Sequence, residues 1–241
     1  MTTLHLLPVR TAGAAENMAV DFLLLQRYPE PACRFRHYEW RGPAFTFGYS
    51  QKIEFVRANL PAGEHFDLCR RPTGGGIVDH RNDWTYALVV PRGHGLYDER
   101  ATQSYRIVHE CLASALLALG QPAEVKKTCE PVGEGSCDQS AFPAGVCFQR
   151  AELYDVVNSR TGQKIAGAAQ KRNKHGLLFQ GSVEKSSVGV IDWDEFAVRF
   201  TQALAKTLGV PAAKTPWPEL NEEEVSGLIE QYSDPQWIEY R

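Results

Sequence analysis

The sequence predicts one α+β domain, with strands in two clusters and helices packed on them. Three observations lead there. The run from Trp84 to Val90 alternates Trp84, Tyr86, Leu88 and Val90 with Thr85, Ala87 and Val89, the period of a strand. The stretch from Thr102 to Leu119 stacks Tyr105, Val108, Leu112 and Leu116 on one face, the period of a helix. Beyond it, Leu153 to Asn158, Lys164 to Gln170 and Leu177 to Val183 read as a second group of strands, without any internal repeat or change of composition.

The 241 residues are enough to bury a sizeable core. A hydrophobic content of 43%, a charged content of 23% and a net charge of -3 exclude the fibrous and disordered classes and give no reason to expect nucleic acid. With no apolar run of membrane-spanning length and no basic, apolar leader over Met1 to Pro8, a cytoplasmic protein that avoids membranes is expected. Cys33, Cys69, Cys111, Cys129, Cys137 and Cys147 form no C-x-x-C pair, so reduced thiols and no metal site are expected.

In chain order, His5 to Val9 reads as a strand and Ala14 to Arg27 as a helix with Met18, Phe22 and Leu25 on one face. Phe35 to Trp40 and Ala44 to Tyr49 are aromatic strands, and Arg41-Gly42-Pro43 between them signals a hairpin. A short helix follows within Glu54 to Gly63. Gly120 is placed to cap the helix that ends near Leu119, while Cys129 to Gly145, rich in glycine and proline, reads as a long functional loop. Asp192-Trp-Asp-Glu195 resembles a capping box before a helix bearing Phe196, Phe200, Ala203 and Leu204, which Gly209 and Pro211 stop. Lys214 to Pro218 is a connector. A last helix begins after Asn221, with Glu222, Glu223 and Glu224 opposing its dipole.

The chemistry centres on Arg70-Arg71-Pro-Thr73-Gly74-Gly75-Gly76-Ile-Val-Asp-His80. Three glycines in a row open backbone conformations closed to other residues and let N–H groups approach a ligand. The spacing fits neither a P-loop nor a dinucleotide fingerprint. Arg70, Arg71, Thr73 and His80 crowded around the glycines favour a ligand cradle over a plain turn. Cys147 enters ordered structure from the long loop, and Lys164 opens the strand Ile-Ala-Gly167-Ala-Ala169, whose small residues let other groups come close. Taken singly, each has a bland reading: an inert cysteine and a strand-edge lysine.

Taken together, the Arg70 to His80 motif, the helix start Ala14-Ala-Glu-Asn-Met-Ala-Val-Asp21 and Gly162-Gln-Lys-Ile-Ala-Gly-Ala-Ala-Gln170 resemble the lipoate-protein ligase A and octanoyltransferase family. The match runs from about 14 to 183, and Tyr232-Ser-Asp-Pro-Gln-Trp237 resembles the family's closing segment. The resemblance implies a catalytic domain of the biotin and lipoate ligase type spanning 1–241, with mixed and antiparallel sheets, packed helices and a C-terminal helical segment over 192–241. It implies an acyl tunnel between the sheets, with Arg71, Thr73, Gly74, Gly75, Gly76, His80, Gly167 and Ala169 as substrate-binding residues.

Cys147-Phe148 and Leu153-Tyr-Asp-Val-Val157 are most similar to the cysteine-dependent transferases. There the cysteine carries octanoyl or lipoyl from acyl carrier protein to a lysine of a lipoyl domain or glycine-cleavage H protein, assisted by the lysine equivalent to Lys164. No cofactor is then required. An ATP-dependent ligase, using ATP and Mg, is the second reading, and a non-catalytic acyl-binding relative the third. A monomer is expected. Two departures stand out: Arg81 follows His80 where an aspartate is frequent, and Ala168 stands where serine or asparagine is frequent. The basic run Lys171, Arg172, Lys174 and His175 suits an acidic carrier protein.

Overall fold

The computed structural model describes residues 3–26, 31–128 and 151–240. In chain order the elements are β1 (Leu4–Leu6), β2 (Arg10–Ala12), α1 (Ala14–Gln26), β3 (Cys33–Trp40), β4 (Ala44–Phe47), α2 (Ile53–Ala58), β5 (Asp67–Arg70), β6 (Ile77–Asp79), β7 (Asp83–Pro91), α3 (Gly95–Asp98) and α4 (Ala101–Ala118). There follow β8 (Ala123–Val125), β9 (Val156–Asn158), β10 (Lys164–Arg172), β11 (Gly176–Glu184), α5 (Trp193–Leu208), β12 (Ala212–Lys214), α6 (Glu222–Ser233) and α7 (Pro235–Ile238).

Nine strands form a mixed sheet of order β12-β1-β3-β7-β11-β10-β9-β8, with β2 also on β3, and three form a small sheet of order β5-β4-β6. The α+β fold with mixed sheets and packed helices is as expected. The period-2 pattern of β7 explains its central place. Trp84, Tyr86, Leu88 and Val90 enter one core with α4 and α5, while Ala87 and Val89 enter another. Both faces of this strand are therefore buried, which is why its polar-side positions are also small or apolar.

The two long helices are shaped by their ends and stripes. In α4, Val108, Leu112 and Leu116 are buried, and Gly120 adopts φ +77 just beyond the helix. Gln121 N–H donates to the Leu116 carbonyl and Gly120 N–H to that of Leu117, a paired closure that satisfies orphan carbonyls. In α5, Asp192 accepts from the N–H groups of Asp194 and Glu195, and Gly209 at φ +68 ends it. Asn221 caps α6 in the same way.

Two expectations are corrected. Arg41-Gly42-Pro43 does not make a hairpin, because β3 belongs to the large sheet whereas β4 pairs with β5 and β6 in the small one. The turn carries the chain from one sheet to the other. The α1 face is broader than Met18, Phe22 and Leu25: Phe22 is only part-buried, while Ala19, Leu23 and Leu24 are buried. The helix is sandwiched between the sheet and α6, so nearly its whole circumference is covered. Among the described residues no helix is long and apolar enough to cross a membrane.

Candidate active site

Between the two sheets lies a cleft. The large sheet supplies Tyr38, Trp40, Thr85, Gln180 and Ser182; the small sheet and its loops supply Thr46, Arg71, Gly75, Val78 and His80. Lys164, Gly167, Ala168 and Ala169 of β10 complete it, with Met18 of α1.

The glycine loop after β5 is held from within. Arg71, 5% exposed, donates from Nη2 to the carbonyls of Gly74 (3.0 Å) and Gly76 (2.8 Å), and from Nη1 to Thr46 Oγ1 (2.7 Å). A fixed guanidinium fork closes the loop as a flexible ammonium would not. Gly75 sits at φ +89, a conformation side chains rarely adopt. The backbone of Gly48 comes so close that a Cβ there would lie 2.0 Å from the Gly75 carbonyl oxygen. Thr73 Oγ1 donates to Gln180 Oε1 at 2.7 Å, tying the loop to β11, and Gln180 Nε2 donates to Asp21 Oδ2 at 2.7 Å.

His80 joins both sheets. Its Nε2 meets the Thr46 hydroxyl at 2.7 Å, its Nδ1 meets Asp83 Oδ2 at 2.7 Å, and its ring stacks on Trp40 with centroids 4.0 Å apart. Asp83 Oδ2 also accepts from Ser182 (2.5 Å) and Thr85 (2.8 Å). Burial pushes the Asp83 carboxyl up, yet the pairing with His80 and the hydrogen bonds from His80, Ser182 and Thr85 outweigh it and hold the group below the usual aspartate range. The carboxylate facing the motif histidine is thus three residues on, not at position 81. Arg81 turns to the surface and pairs with Asp79 and Glu64.

At the β10 border, Lys164 Nζ lies 2.7 Å from Asp155 Oδ2, with both side chains buried. Asp155 is held in turn by the Tyr105 hydroxyl on Oδ1 (2.5 Å) and Glu152 N–H on Oδ2 (2.7 Å). The Tyr105 oxygen accepts from Ala168 N–H at 3.0 Å. Tyr154, just before Asp155, adopts φ +68, a strained conformation for a bulky residue. Its carbonyl accepts from His109 Nδ1 at 2.6 Å. Burial, the largest influence, lowers the His109 pKa.

The structure therefore brings together Arg71, Thr73, Gly75, His80, Lys164, Gly167 and Ala169, with Gly74 and Gly76 fixed through their carbonyls. Gly167 has a packing reason for lacking a side chain, since a Cβ would lie 2.8 Å from Lys164 Nζ. Cys147 and Phe148, and the loop expected over 129–145, lie outside the described residues. Sequence reading missed Asp155, Tyr105, Asp83 and Gly48 as parts of the site. Asp155 did stand in the Leu153 to Val157 segment, but nothing local marked it as the partner of Lys164.

The chain matches the family model for the lipoyl protein ligase A/B catalytic domain over residues 13–188. It is 35% identical over 189 residues to octanoyltransferase LipM of Bacillus cereus, covering 75% of this chain and 63% of that one. It is 31% identical over 208 residues to octanoyltransferase LipM of Exiguobacterium sp., covering 83% and 72%. The chain thus spans less than two thirds of the length of the Bacillus relative. Among solved structures, it is similar to lipoate-protein ligase A bound with ATP (TM-score 0.74, 18% identity, 99% of each chain) and to protein Ta0514 of T. acidophilum with bound lipoic acid (TM-score 0.71, 18% identity, all of each chain). At that identity the two structures carry the fold alone.

Proposed function

This chain belongs to the lipoyl protein ligase A/B catalytic domain family, and on that premise we propose that it moves octanoyl, or lipoyl, from acyl carrier protein through a Cys147 thioester to a lysine of a lipoyl domain or glycine-cleavage H protein. The observation that carries the reading is a buried Lys164–Asp155 pair bordering a cleft lined by Met18, Val78, Gly75, Gly167, Ala168 and Ala169, small and apolar groups that suit an acyl chain. The three described cysteines suit the role of nucleophile poorly. Burial pushes Cys33 and Cys69 up to about 12 and raises Cys111 as well, so their thiolates are scarce. Of the rest, Cys147 is the one in the Cys-Phe pair.

The Cys147 thiol proton passes to the Lys164–Asp155 pair and the thiolate attacks the thioester carbonyl. The carrier thiol then leaves with that proton, and the acyl group stays on sulfur. In the second half the acceptor amine attacks, gives its proton to the same pair, and Cys147 departs as thiolate. Thioester exchange is nearly isoenergetic, which makes two easy steps of one. Tyr105 and the strained Tyr154 backbone hold Asp155 in place, and cradle N–H groups stabilise the oxyanion.

Intact mass spectrometry after incubation with octanoyl-acyl carrier protein, without ATP, should reveal an octanoyl adduct that Cys147→Ala loses. Single changes of Cys33, Cys69, Cys111, Cys129 or Cys137 should retain it. Transfer by Cys147→Ala without ATP would sink the thioester mechanism. ATP-dependent attachment of free lipoate by that variant would favour the ligase reading.

A further inference from the structure

Arg70 is fully buried, yet it lines no part of the cleft. Its guanidinium reaches backbone carbonyls on two sides. On one side Nη1 donates to Tyr49 (2.7 Å) and Gln51 (2.8 Å); on the other Nε donates to Trp237 (3.0 Å) and Nη2 to Ile238 (2.7 Å), at the end of α7. The bond is returned, because Trp237 Nε1 donates to the Arg70 carbonyl at 3.0 Å. A cation at carbonyls that end a helix is favourable both as donor and against the dipole.

The 49–51 segment is in turn the outer wall of the glycine loop. Tyr49 N–H donates to the Thr73 carbonyl at 2.9 Å and Gln51 Nε2 to that of Gly75 at 3.2 Å. Two successive arginines therefore hold the loop from opposite sides. Arg71 closes it from inside, and Arg70 anchors its outer support to the C-terminal turn. Ile238 packs beside Phe47, Ile53 and Val56, and Arg57 pairs with Glu239, so that turn is itself fastened.

We propose that Arg70, with Trp237 as its counterpart, is a positioning residue for acyl transfer, holding the glycine loop in its binding geometry through Tyr49 and Gln51 without touching the acyl group. The kinetic half of the test rests on the acyl-transfer reading; the exchange half does not. Arg70→Lys keeps the charge but cannot reproduce the fork, so peptides covering 48–52 and 71–78 should exchange backbone hydrogen on the order of ten times faster, with 104–116 unchanged. The KM for octanoyl-acyl carrier protein should rise about tenfold, with kcat changed less than about threefold. Equal acceleration in 104–116, no acceleration in the loop peptides, or an unchanged KM in the folded variant would overturn the role. Should Arg70→Lys fail to fold, Trp237→Phe keeps an aromatic ring beside Tyr49 and Tyr232 while deleting the returned bond and part of the indole. It should give the same pattern at about threefold, and unchanged loop exchange there would equally overturn the proposal.

Discussion

The two faces of the large sheet are built from different materials. Against α4 and α5 the contacts are aromatic and apolar: Phe200 sets its ring edge-on to Phe35 at 5.7 Å and to Tyr86 at 5.1 Å, and Trp84 meets Phe196 at 5.0 Å. Toward α1 and the small sheet the buried groups include Asp21, Arg36, Gln180, Ser182, Asp83 and Thr85, each hydrogen-bonded to a neighbour. Apolar contacts are tolerant in direction and strong in sum; the hydrogen bonds added on the α1 side are weak in net energy but demand particular partners at particular angles. The proposed acyl transfer uses the first to keep the molecule folded and the second to keep the acyl chain aligned with Lys164.

That division can be broken from either side. Phe200→Ala should lower unfolding free energy by about 3–5 kcal/mol, read from the denaturant midpoint, while transfer per folded molecule stays within about twofold. A large change in KM would show that the faces are not separable. Gly75→Val should do the opposite, because valine avoids φ +89 and its Cβ would meet Arg71 Nη2 at 3.3 Å. Transfer should fall about 100-fold, equivalent to about 2.7 kcal/mol at the transition state. Normal turnover in a folded variant would reduce the cradle to a turn.

A smaller effect is expected with pH. Burial lowers the pKa of both His37 and His109, so the unfolded chain binds more protons than the folded one. The stability they contribute is fully present above the unfolded histidine pKa of about 6.5 and is lost as pH falls from there through the folded values. Urea midpoints measured from pH 7.5 downward should decline, and His109→Gln should flatten that decline; a flat wild-type profile would contradict it. The least effect belongs to Gly74→Ala. A Cβ there meets nothing within 4 Å, and transfer should change by less than about twofold. Together with Gly75→Val it separates geometry from mere glycine content.

What the sequence made legible follows from the range of each signal. The stripes of α4 and α5, the alternation of β7, the capping Asp192 and the helix start after Asn221 are local patterns, and they appear as read. Lys164 does open its strand. The three-residue strands β2, β8 and β12 are too short to carry a period, and pairing with distant strands creates them. Likewise, Gly48 matters through Gly75, 27 residues on, and Asp155 through a lysine on the adjoining strand. The sequence after Lys164 is apolar and glycine-rich, whereas in the fold its ammonium meets the Asp155 carboxylate. A Gly-Pro turn can also carry a chain between sheets as well as back along one, which is why Arg41-Gly42-Pro43 misled.

The edge of the large sheet has a consequence for synthesis. β1 lies between β3 and β12 in parallel pairing, Leu4 opposite Cys33 on one side and Ala212 on the other. At a translation rate of about 5–20 residues per second, the strand that covers the outer edge of β1 is made roughly 10–40 s after it. Throughout that interval the β12-facing edge of β1 has no strand to pair with, and Leu4, a residue destined for complete burial, lies on it. A chaperone that shelters exposed strand edges would therefore raise the yield of native molecules, and slowed elongation between β1 and β12 would lower it.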